Sequence, residues 1–240
     1  MKIINVCSGK GGVGKTTVAV NMAAALQKLN KRVVIVDCNL TTSHLGVMFD
    51  LYSTGKSING FLRGEIKLED AVHMHKSGLH IVPAALELDE LADINTDIIK
   101  HALQETFKHY DYVILDSAPG IGREALIAMK ACDEAVFVAS PHIPSLVDVL
   151  KTKNVAKKLG VYNAGVILNR VRGRDYEITE DDVFKFADMH LLGSVPEDEI
   201  ILSSLNEREV SSVKYPKAPS SAAFFEIAHK IAGVPYYTRQ

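Results

Sequence analysis

Short hydrophobic segments alternate with longer amphipathic segments along most of the chain. The hydrophobic segments are short, and they cover residues 3–7, 33–36, 79–82, 112–115, 135–139, 165–168 and 191–195. Most are rich in Val and Ile and lack a polar alternation, which is typical of strands buried on both faces of a parallel sheet. The amphipathic segments predict helices over residues 15–29, 96–108, 123–131, 145–159, 179–187 and 220–232.

This alternation predicts an α/β fold with a doubly wound, mostly parallel β-sheet flanked by helices. Residues 38–75 fit the alternation less well. We expect loops with short helices there, including one or two helical turns over residues 56–64 that end at Gly64. The chain contains no linker rich in Pro, Gly or Ser. We therefore expect a single domain over residues 1–232 and a short C-terminal tail over residues 233–240.

The charge balance and the cysteine content narrow the classes of function. Lys and Arg number 27, Asp and Glu number 29, and the net charge is −2. This balance gives no global attraction to nucleic acid or anionic lipid, and we predict no specific nucleic-acid binding. Three scattered cysteines exclude a disulfide scaffold and favour a reducing compartment. No apolar run approaches the roughly 18 residues of a membrane span, and the N-terminus has no signal-peptide layout, so we expect a cytoplasmic protein.

A glycine-rich segment lies between the first predicted strand and the first predicted helix. It matches the pattern Gly, four residues, Gly, Lys, Ser or Thr, and it consists of Gly9, Lys10, Gly11, Gly12, Val13, Gly14, Lys15 and Thr16. Triphosphate oxygens need several backbone N–H donors at close range, and glycines let the backbone wrap that tightly at the N-terminus of a helix. We predict that Lys15 bridges the β- and γ-phosphates and that the hydroxyl of Thr16 binds Mg²⁺.

Two aspartates follow predicted strands that end near this phosphate loop. Asp116 follows the strand over residues 112–115, and Asp37 follows the strand over residues 33–36. A carboxylate at the carboxyl end of a parallel strand, beside a phosphate loop, is suited to Mg²⁺. We therefore predict metal-binding roles for both aspartates, and we expect the backbone around Gly120 to contact the γ-phosphate.

A second lysine inside the loop narrows the class of phosphate loop that the segment resembles. The run from Lys10 to Thr17 reads Lys-Gly-Gly-Val-Gly-Lys-Thr-Thr, and it resembles the deviant Walker A loop of the MinD/ParA family of positioning ATPases. The resemblance continues along most of the chain, through the segments 36–37, 116–120, 168–170 and 195–198. Within the family, the sequence looks most like archaeal MinD-type ATPases.

The resemblance implies an ATP-driven dimerisation switch. ATP would bring two subunits together as a homodimer, and Lys10 would then reach the phosphates bound by the partner, much as an arginine finger does. Asn169 would hydrogen-bond the adenine, and further nucleotide contacts would come from Thr17, Arg170, Pro196 and Glu197. Hydrolysis would reset the dimer. An unidentified protein activator or cargo adaptor would complete a system that positions a division apparatus, a chemosensory or motility apparatus, or a chromosome.

The sequence departs from the family in the catalytic tract. The family pattern has two aspartates separated by one residue, and the second positions the attacking water, but the tract here is Asp37-Cys38-Asn39. An asparagine orients water but cannot accept its proton at neutral pH. His44 replaces a family asparagine a few residues later. We predict slow, partner-stimulated, Mg-dependent ATP hydrolysis, in which the catalytic residues are Lys10, Lys15, Asp37 and Asn39.

The C-terminal region gives little support for a membrane anchor. In the last predicted helix, Phe224, Ile227 and Ile231 have a core-facing spacing, and the tail contains a single basic residue, Arg239. Stable binding to a membrane surface needs a larger apolar face and usually several basic residues. A transient contact through the two tails of a dimer stays open.

Three other classes of function also stay open. An ATP-locked dimeric binding module with negligible hydrolysis is the main alternative, because Asn39 replaces the second aspartate. An iron–sulfur carrier that shares this type of loop would need paired cysteines, and the chain has no Cys-x-x-Cys sequence. A ligase-like enzyme similar to dethiobiotin synthetase would need a basic acceptor pocket, which the sequence does not indicate.

Overall fold

The computed structural model describes residues 1–86 and 97–236. Within these ranges eight strands form one sheet, and they are β1 (Lys2–Cys7), β2 (Val33–Cys38), β3 (His73–Met74), β4 (His80–Val82), β5 (Tyr112–Ser117), β6 (Glu134–Ala139), β7 (Tyr162–Val171) and β8 (Leu191–Pro196). The strand order is β3-β4-β2-β5-β1-β6-β7-β8. Neighbouring strands are parallel, except that β3 is antiparallel to β4. The predicted doubly wound, mostly parallel sheet is confirmed.

Helices cover both faces of this sheet. The α-helices in the described part of the chain are α1 (Lys15–Lys28), α2 (His44–Met48), α3 (Ile58–Leu62), α4 (Asp97–Thr106), α5 (Arg123–Ala131), α6 (Ile143–Lys158), α7 (Glu180–Ala187), α8 (Glu199–Asn206), α9 (Ser211–Lys214) and α10 (Pro219–Ala232). On one face α1 contributes buried side chains such as Leu26, and α10 contributes Phe224 and Ile227. On the other face α4 and α6 contribute Leu103 and Leu146. The sheet therefore has a hydrophobic core on each side, as continuous apolar strands require.

Three short elements were not predicted from the hydrophobic pattern. Strand β3 is two residues long and lies at the edge of the sheet, so it is too short to show an alternation. Helix α8 is marked by its N-cap rather than by periodicity, because the carboxylate of Asp198 accepts a hydrogen bond from the backbone N–H of Ile200 at 3.2 Å. Helix α9 is four residues long.

Most other predicted boundaries differ from the structure by a few residues. The short helix expected within residues 56–64 is α3, and Gly64 follows it with a φ of 74°. The helix predicted over residues 96–108 corresponds to α4, and residue 96 lies outside the described residues.

The C-terminal helix α10 ends at a glycine. Gly233 has a φ of 65°, the left-handed conformation that is common just after a helix. Residues 237–240 of the predicted tail lie outside the described residues. In the two ranges that the structure covers, no helix is both long and apolar enough to cross a membrane. The division into a domain and a tail stays a prediction.

Strands β1, β2 and β5 run in the same direction and end at one edge of the sheet. The phosphate loop follows β1 and leads directly into α1. Asp37 on β2 and Asp116 on β5 are partners in the register of these neighbouring strands. Since neighbouring strands lie about 4.8 Å apart, the two carboxylates lie side by side at this edge. The fold thereby collects the predicted phosphate and metal ligands in one place.

Candidate active site

The phosphate loop is shaped by two glycines that leave no room for a side chain. A Cβ atom on Gly9 would lie 2.2 Å from the backbone oxygen of Asp148 on α6. Gly14 has a φ of 88°, and a Cβ atom there would lie 2.3 Å from Nδ2 of Asn169. Helix α1 begins at Lys15 and has no side-chain cap. Its first backbone N–H groups are therefore available to an anion, as a phosphate site requires.

Asp37 and Asp116 form a buried pair of carboxylates. Their exposed fractions are 0% and 1%. Burial and the repulsion of Asp116 raise the pKa of Asp37 to about 8. Burial raises the pKa of Asp116 to about 6, while a hydrogen bond from the Thr16 side chain and the charge of Lys15 act in the opposite direction. The pair concentrates acceptor oxygens at a position that water does not reach.

Lys15 is the cation that faces this pair. It is only 7% exposed, and burial lowers its pKa while the charge of Asp116 raises it. One buried ammonium beside two carboxylates leaves a local excess of negative charge when both are ionised. The site therefore favours a further cation.

A magnesium ion fits the residues at this edge. Oδ1 of Asp116 is buried and has no hydrogen-bond partner among the described residues. The described residues contain no group of three or more His, Cys, Asp or Glu side chains that could hold a metal ion by themselves. Mg²⁺ is usually bound by one or two carboxylates together with phosphate oxygens and water, so Asp37, Asp116 and the Thr16 hydroxyl are a suitable protein contribution.

Without a divalent cation, we expect Asp116→Asn to increase the free energy of unfolding by about 1–2 kcal/mol at pH 8 and by about half as much at pH 5. Both carboxylates have a pKa above the ordinary value of 3.8 in the folded chain. The stability that each protonated carboxyl supplies is therefore lost as the pH rises through its folded-state pKa. Denaturant unfolding of both proteins at the two pH values, with a chelator present, measures the difference.

Asp175→Asn is the matched control for this measurement, because Asp175 is exposed. We expect it to change stability equally little at both pH values. An Asp116→Asn variant that is no more stable than the wild type at pH 8 would contradict the destabilising burial and repulsion of the two ionised carboxylates.

The loop after β2 is wrapped around Asp37. The carboxylate accepts hydrogen bonds from the backbone N–H of Asn39 at 3.0 Å, the hydroxyl of Ser43 at 2.9 Å and the backbone N–H of Leu45 at 3.1 Å. Ser43 also caps α2, since its Oγ accepts from the backbone N–H of Gly46. The position of the whole loop is thus tied to the predicted metal ligand.

Asn39 lies in a cleft of about 430 Å³ between the loop after β2 and the loop after β5. Its Nδ2 donates to the carbonyl oxygen of Thr42 at 2.7 Å and lies 3.4 Å from Nδ1 of His44. Pro119 and Gly122 belong to the opposite wall of the cleft. The predicted water-orienting asparagine therefore lines this cleft, although the residue itself is only 5% exposed.

Gly120 and Lys10 both form hydrogen bonds with Ser8, the residue that precedes the phosphate loop. The backbone N–H of Gly120 donates to the carbonyl oxygen of Ser8 at 2.9 Å, and Gly120 has a φ of 79°. The hydroxyl of Ser8 donates to the carbonyl oxygen of Lys10 at 2.7 Å. Lys10 itself is exposed. The backbone around Lys10 is therefore held in place while its side chain points into solvent.

A second cavity of about 510 Å³ adjoins the start of α1. It brings together the predicted base-binding residues Thr17, Asn169, Arg170, Pro196 and Glu197. Asn169 donates from Nδ2 to the carbonyl oxygen of Val13 at 2.8 Å, and its Oδ1 is buried without a hydrogen-bond partner among the described residues. The volume is in the range of small-molecule sites.

Helix α8 supplies an apolar wall that the sequence reasoning missed. Ile201, Leu202 and Leu205 line the same cavity, and Leu202 is 65% exposed. The cap at Asp198 followed by an apolar run was the available signal for this helix.

The structure places the predicted site residues at one edge of the sheet, while their individual roles stay predictions.

Known proteins resemble this chain over almost its full length. A family model described as ParA, NUBPL iron-transfer P-loop NTPase, matches residues 1–232. An uncharacterised ATP-binding protein of Methanocaldococcus jannaschii is 35% identical over 237 residues, which cover 98% of this chain and 89% of the relative.

Two solved structures share the fold at recognisable sequence identity. The cell division ATPase MinD of Pyrococcus furiosus matches with a TM-score of 0.90 and 28% identity, over 97% of this chain and 98% of that one. MinD of Pyrococcus horikoshii, solved in complex with Mg-ADP, matches with a TM-score of 0.88 and 30% identity, over 96% of this chain and 95% of that one. The chain therefore belongs to the ParA family of P-loop NTPases, and MinD-type ATPases are among its relatives.

Proposed function

We propose that the protein is an ATP-driven dimerisation switch of the MinD type, which hydrolyses ATP slowly and positions a cellular machine. The proposal depends on one observation, that one lysine of the phosphate loop is buried and the other is exposed. Lys15 is buried beside Asp116, whereas Lys10 is exposed. The buried lysine is suited to the nucleotide of its own subunit, and the exposed lysine is suited to the nucleotide of a second subunit.

The proposed nucleotide lies along the edge of the sheet. Its phosphates occupy the loop from Gly9 to Thr16, and its base enters the cavity of about 510 Å³ beside Asn169. Asp37, Asp116 and the hydroxyl of Thr16 would hold a magnesium ion, which would supply positive charge to balance the β- and γ-phosphates. Support for a magnesium nucleotide comes from the buried carboxylate pair and from the Mg-ADP complex of the Pyrococcus horikoshii relative.

The proposed dimer forms only with ATP. The γ-phosphate is the part of ATP that the exposed Lys10 of a second subunit would contact, and ADP lacks it. We further propose that a protein activator or cargo adaptor reads the dimer and accelerates hydrolysis. The name of the Pyrococcus furiosus relative, a cell division ATPase, supports a division apparatus as the machine that is positioned.

Asn39 sets the expected rate of hydrolysis. Its amide group occupies the cleft where the attacking water would lie, and an amide cannot take up the proton of that water. We expect Asn39→Asp to raise the steady-state rate of Mg-ATP hydrolysis by about tenfold or more, because a carboxylate accepts the proton. Colorimetric detection of released phosphate at saturating Mg-ATP measures the rate.

The matched control is Asn154→Asp, which makes the same chemical change at an exposed position of α6. Its rate should equal that of the wild type. If Asn39→Asp hydrolyses ATP no faster than the wild type, the water is positioned by another group, and the missing second aspartate does not limit the reaction.

The cysteines of this chain do not support iron transfer, the activity named in the description of the family model. Cys7, Cys38 and Cys132 are all buried. Burial raises the pKa of Cys132 to about 12 and raises the pKa of Cys7 and Cys38 well above the ordinary value. Since the thiolate is the metal-binding form, these cysteines are poor ligands for iron.

Steady-state phosphate release tests the proposed hydrolysis. The purified wild type is compared with Lys15→Ala, which supplies the background of contaminating ATPases. A wild-type rate above this background supports a self-resetting switch. A wild type that binds ATP but releases no phosphate above background would overturn the hydrolysis and favour the ATP-locked dimer that awaits a partner.

A further inference from the structure

A third cavity, of about 310 Å³, lies at the edge of the sheet opposite the phosphate loop. It is formed by the end of α1, the starts of β2 and β4, and the residues just before β5. Val33 at the start of β2 lies four residues before Asp37, so the cavity is about 13 Å along the strand from that predicted metal ligand. None of its lining residues belongs to the site described above.

The lining of this cavity is basic. It includes Lys31, Arg32, His80 and His109, and no carboxylate side chain lines it in the described part of the chain. The two flanking segments, residues 27–33 and 107–111, contain four Lys or Arg residues and one Asp, which leaves a local net charge of +3 in a chain whose net charge is −2. A concave surface lined by one sign of charge concentrates ions of the opposite sign.

The cations of the lining keep donors that a ligand can use. Within residues 1–86 and 97–236, the side chains of Lys31 and His109 form no hydrogen bond or ion pair. Nε of Arg32 lies 3.7 Å from Oδ2 of Asp111, and the Arg32 side chain is 66% exposed. A guanidinium group has five N–H donors, so this single ion pair leaves most of them available.

Two aromatic side chains give the cavity an apolar surface with a polar tip. The rings of His80 and Tyr110 lie 5.6 Å apart at 70°, and Tyr110 also packs edge-on against Phe107 at 5.4 Å. Nδ1 of His80 lies 2.5 Å from the hydroxyl of Tyr110, and burial raises the pKa of Tyr110, so the hydroxyl keeps its hydrogen at neutral pH. Whichever of the two groups donates, the pair keeps one N–H or O–H for a ligand.

One wall of the cavity is held in place by a contact between distant residues. Nε2 of Gln27 on α1 donates to the carbonyl oxygen of Gly78 in the turn before β4, at 2.8 Å. Gly78 has a φ of 84°, and a Cβ atom there would lie 3.0 Å from the same Nε2. The cavity is therefore formed before a ligand arrives, as is usual for small-molecule sites.

We propose that this cavity binds a small organic anion, in which an apolar ring carries a carboxylate or phosphate group. The ring packs against Tyr110 and Val33, and the anionic group contacts the ammonium of Lys31 and the guanidinium of Arg32. The volume is at the lower end of the range for small-molecule sites, which suits a compact ligand. The proposal does not depend on the proposed function, because the cavity lies away from the phosphate loop.

The test uses benzoate and phenyl phosphate as anionic probes and benzyl alcohol as the neutral probe. Each is titrated into the ¹⁵N-labelled wild type without nucleotide, and amide signals are followed by two-dimensional NMR. We expect saturable shifts at Gly78 and Tyr110, with a dissociation constant of about 10 mM or below for at least one anion. Benzyl alcohol should bind at least about fivefold more weakly.

Two charge reversals complete the test. Lys31→Glu should weaken binding of the anion by at least about tenfold, since it places a like charge in the lining. The matched control is Lys158→Glu, which makes the same change at an exposed position at the end of α6, and it should bind like the wild type. The dispersed amide spectrum of each variant shows that it is folded.

The outcomes separate this site from the phosphate loop. Binding of benzoate alone or of phenyl phosphate alone supports the site and identifies the anionic group that it accepts. Shifts at Gly12 and Gly14 report binding of phenyl phosphate to the phosphate loop and are scored separately. No saturable shift at Gly78 and Tyr110 with either anion, equal binding of benzyl alcohol, or unchanged binding by Lys31→Glu would each overturn the proposed anion site, while the proposed nucleotide switch would stand.

Discussion

Lys15→Ala is expected to abolish detectable binding of Mg-ATP and Mg-ADP, with a loss of at least about a hundredfold in affinity. The side chain of Lys15 is buried at the start of α1, and the carboxylate of Asp116 is its charge partner. It is thus desolvated before the nucleotide arrives, and phosphate oxygens replace the missing water contacts. Removing it leaves the two carboxylates unopposed and repels an anionic ligand. Isothermal titration calorimetry with each nucleotide measures the loss.

Lys28→Ala is the matched control for Lys15→Ala. Lys28 is the last residue of the same helix and is exposed. We expect it to bind both nucleotides like the wild type. Binding by Lys15→Ala at an affinity close to that of the wild type would show that the nucleotide does not use this phosphate loop, and the proposed site would be wrong.

Lys10→Ala is expected to keep nucleotide binding and to lose ATP-dependent dimerisation. Lys10 is exposed, and within the described ranges its one hydrogen bond is made by its carbonyl oxygen, which accepts from the hydroxyl of Ser8. The loop should therefore keep its shape, and affinity for Mg-ADP should stay within about threefold of the wild type. The charge that crosses to the partner's phosphates is missing, so the dimer should weaken by at least about tenfold. Size-exclusion chromatography with Mg-ATP, over a range of protein concentrations, measures the shift.

The control for the dimer measurement is Lys158→Ala, which removes an exposed lysine at the end of α6. It should dimerise like the wild type. If Lys10→Ala forms the dimer with Mg-ATP at the same protein concentrations, Lys10 does not act across an interface. The exposed position of this lysine would then need another explanation.

The central features of the fold could be predicted because they leave strong local signals. Strands buried on both faces read as continuous apolar runs, and β1, β2 and β5 were found within one or two residues of their ends. The phosphate loop was recognisable because glycine spacing follows directly from the need for close backbone approach. Gly9 and Gly14 show this need in the structure, where either Cβ atom would collide with a neighbour.

The remaining features depend on contacts between distant parts of the chain. The apolar wall of Leu202 and Leu205 forms only when α8 folds beside the ends of β7 and β8. The local cap and apolar run indicate the helix but not its place in the cavity. The raised pKa of Asp37 depends on its register with Asp116 across two strands. The contact of His44 with Asn39 depends on how the loop after β2 closes around the Asp37 carboxylate.

The molecular mass of the wild type, measured by multi-angle light scattering without nucleotide, with Mg-ADP and with Mg-ATP, tests the central claim most directly. The account predicts a mass near 26.2 kDa without nucleotide and with Mg-ADP, and about twice that mass with Mg-ATP. A mass that is the same in all three conditions, in a protein that binds both nucleotides, would contradict an ATP-driven dimerisation switch.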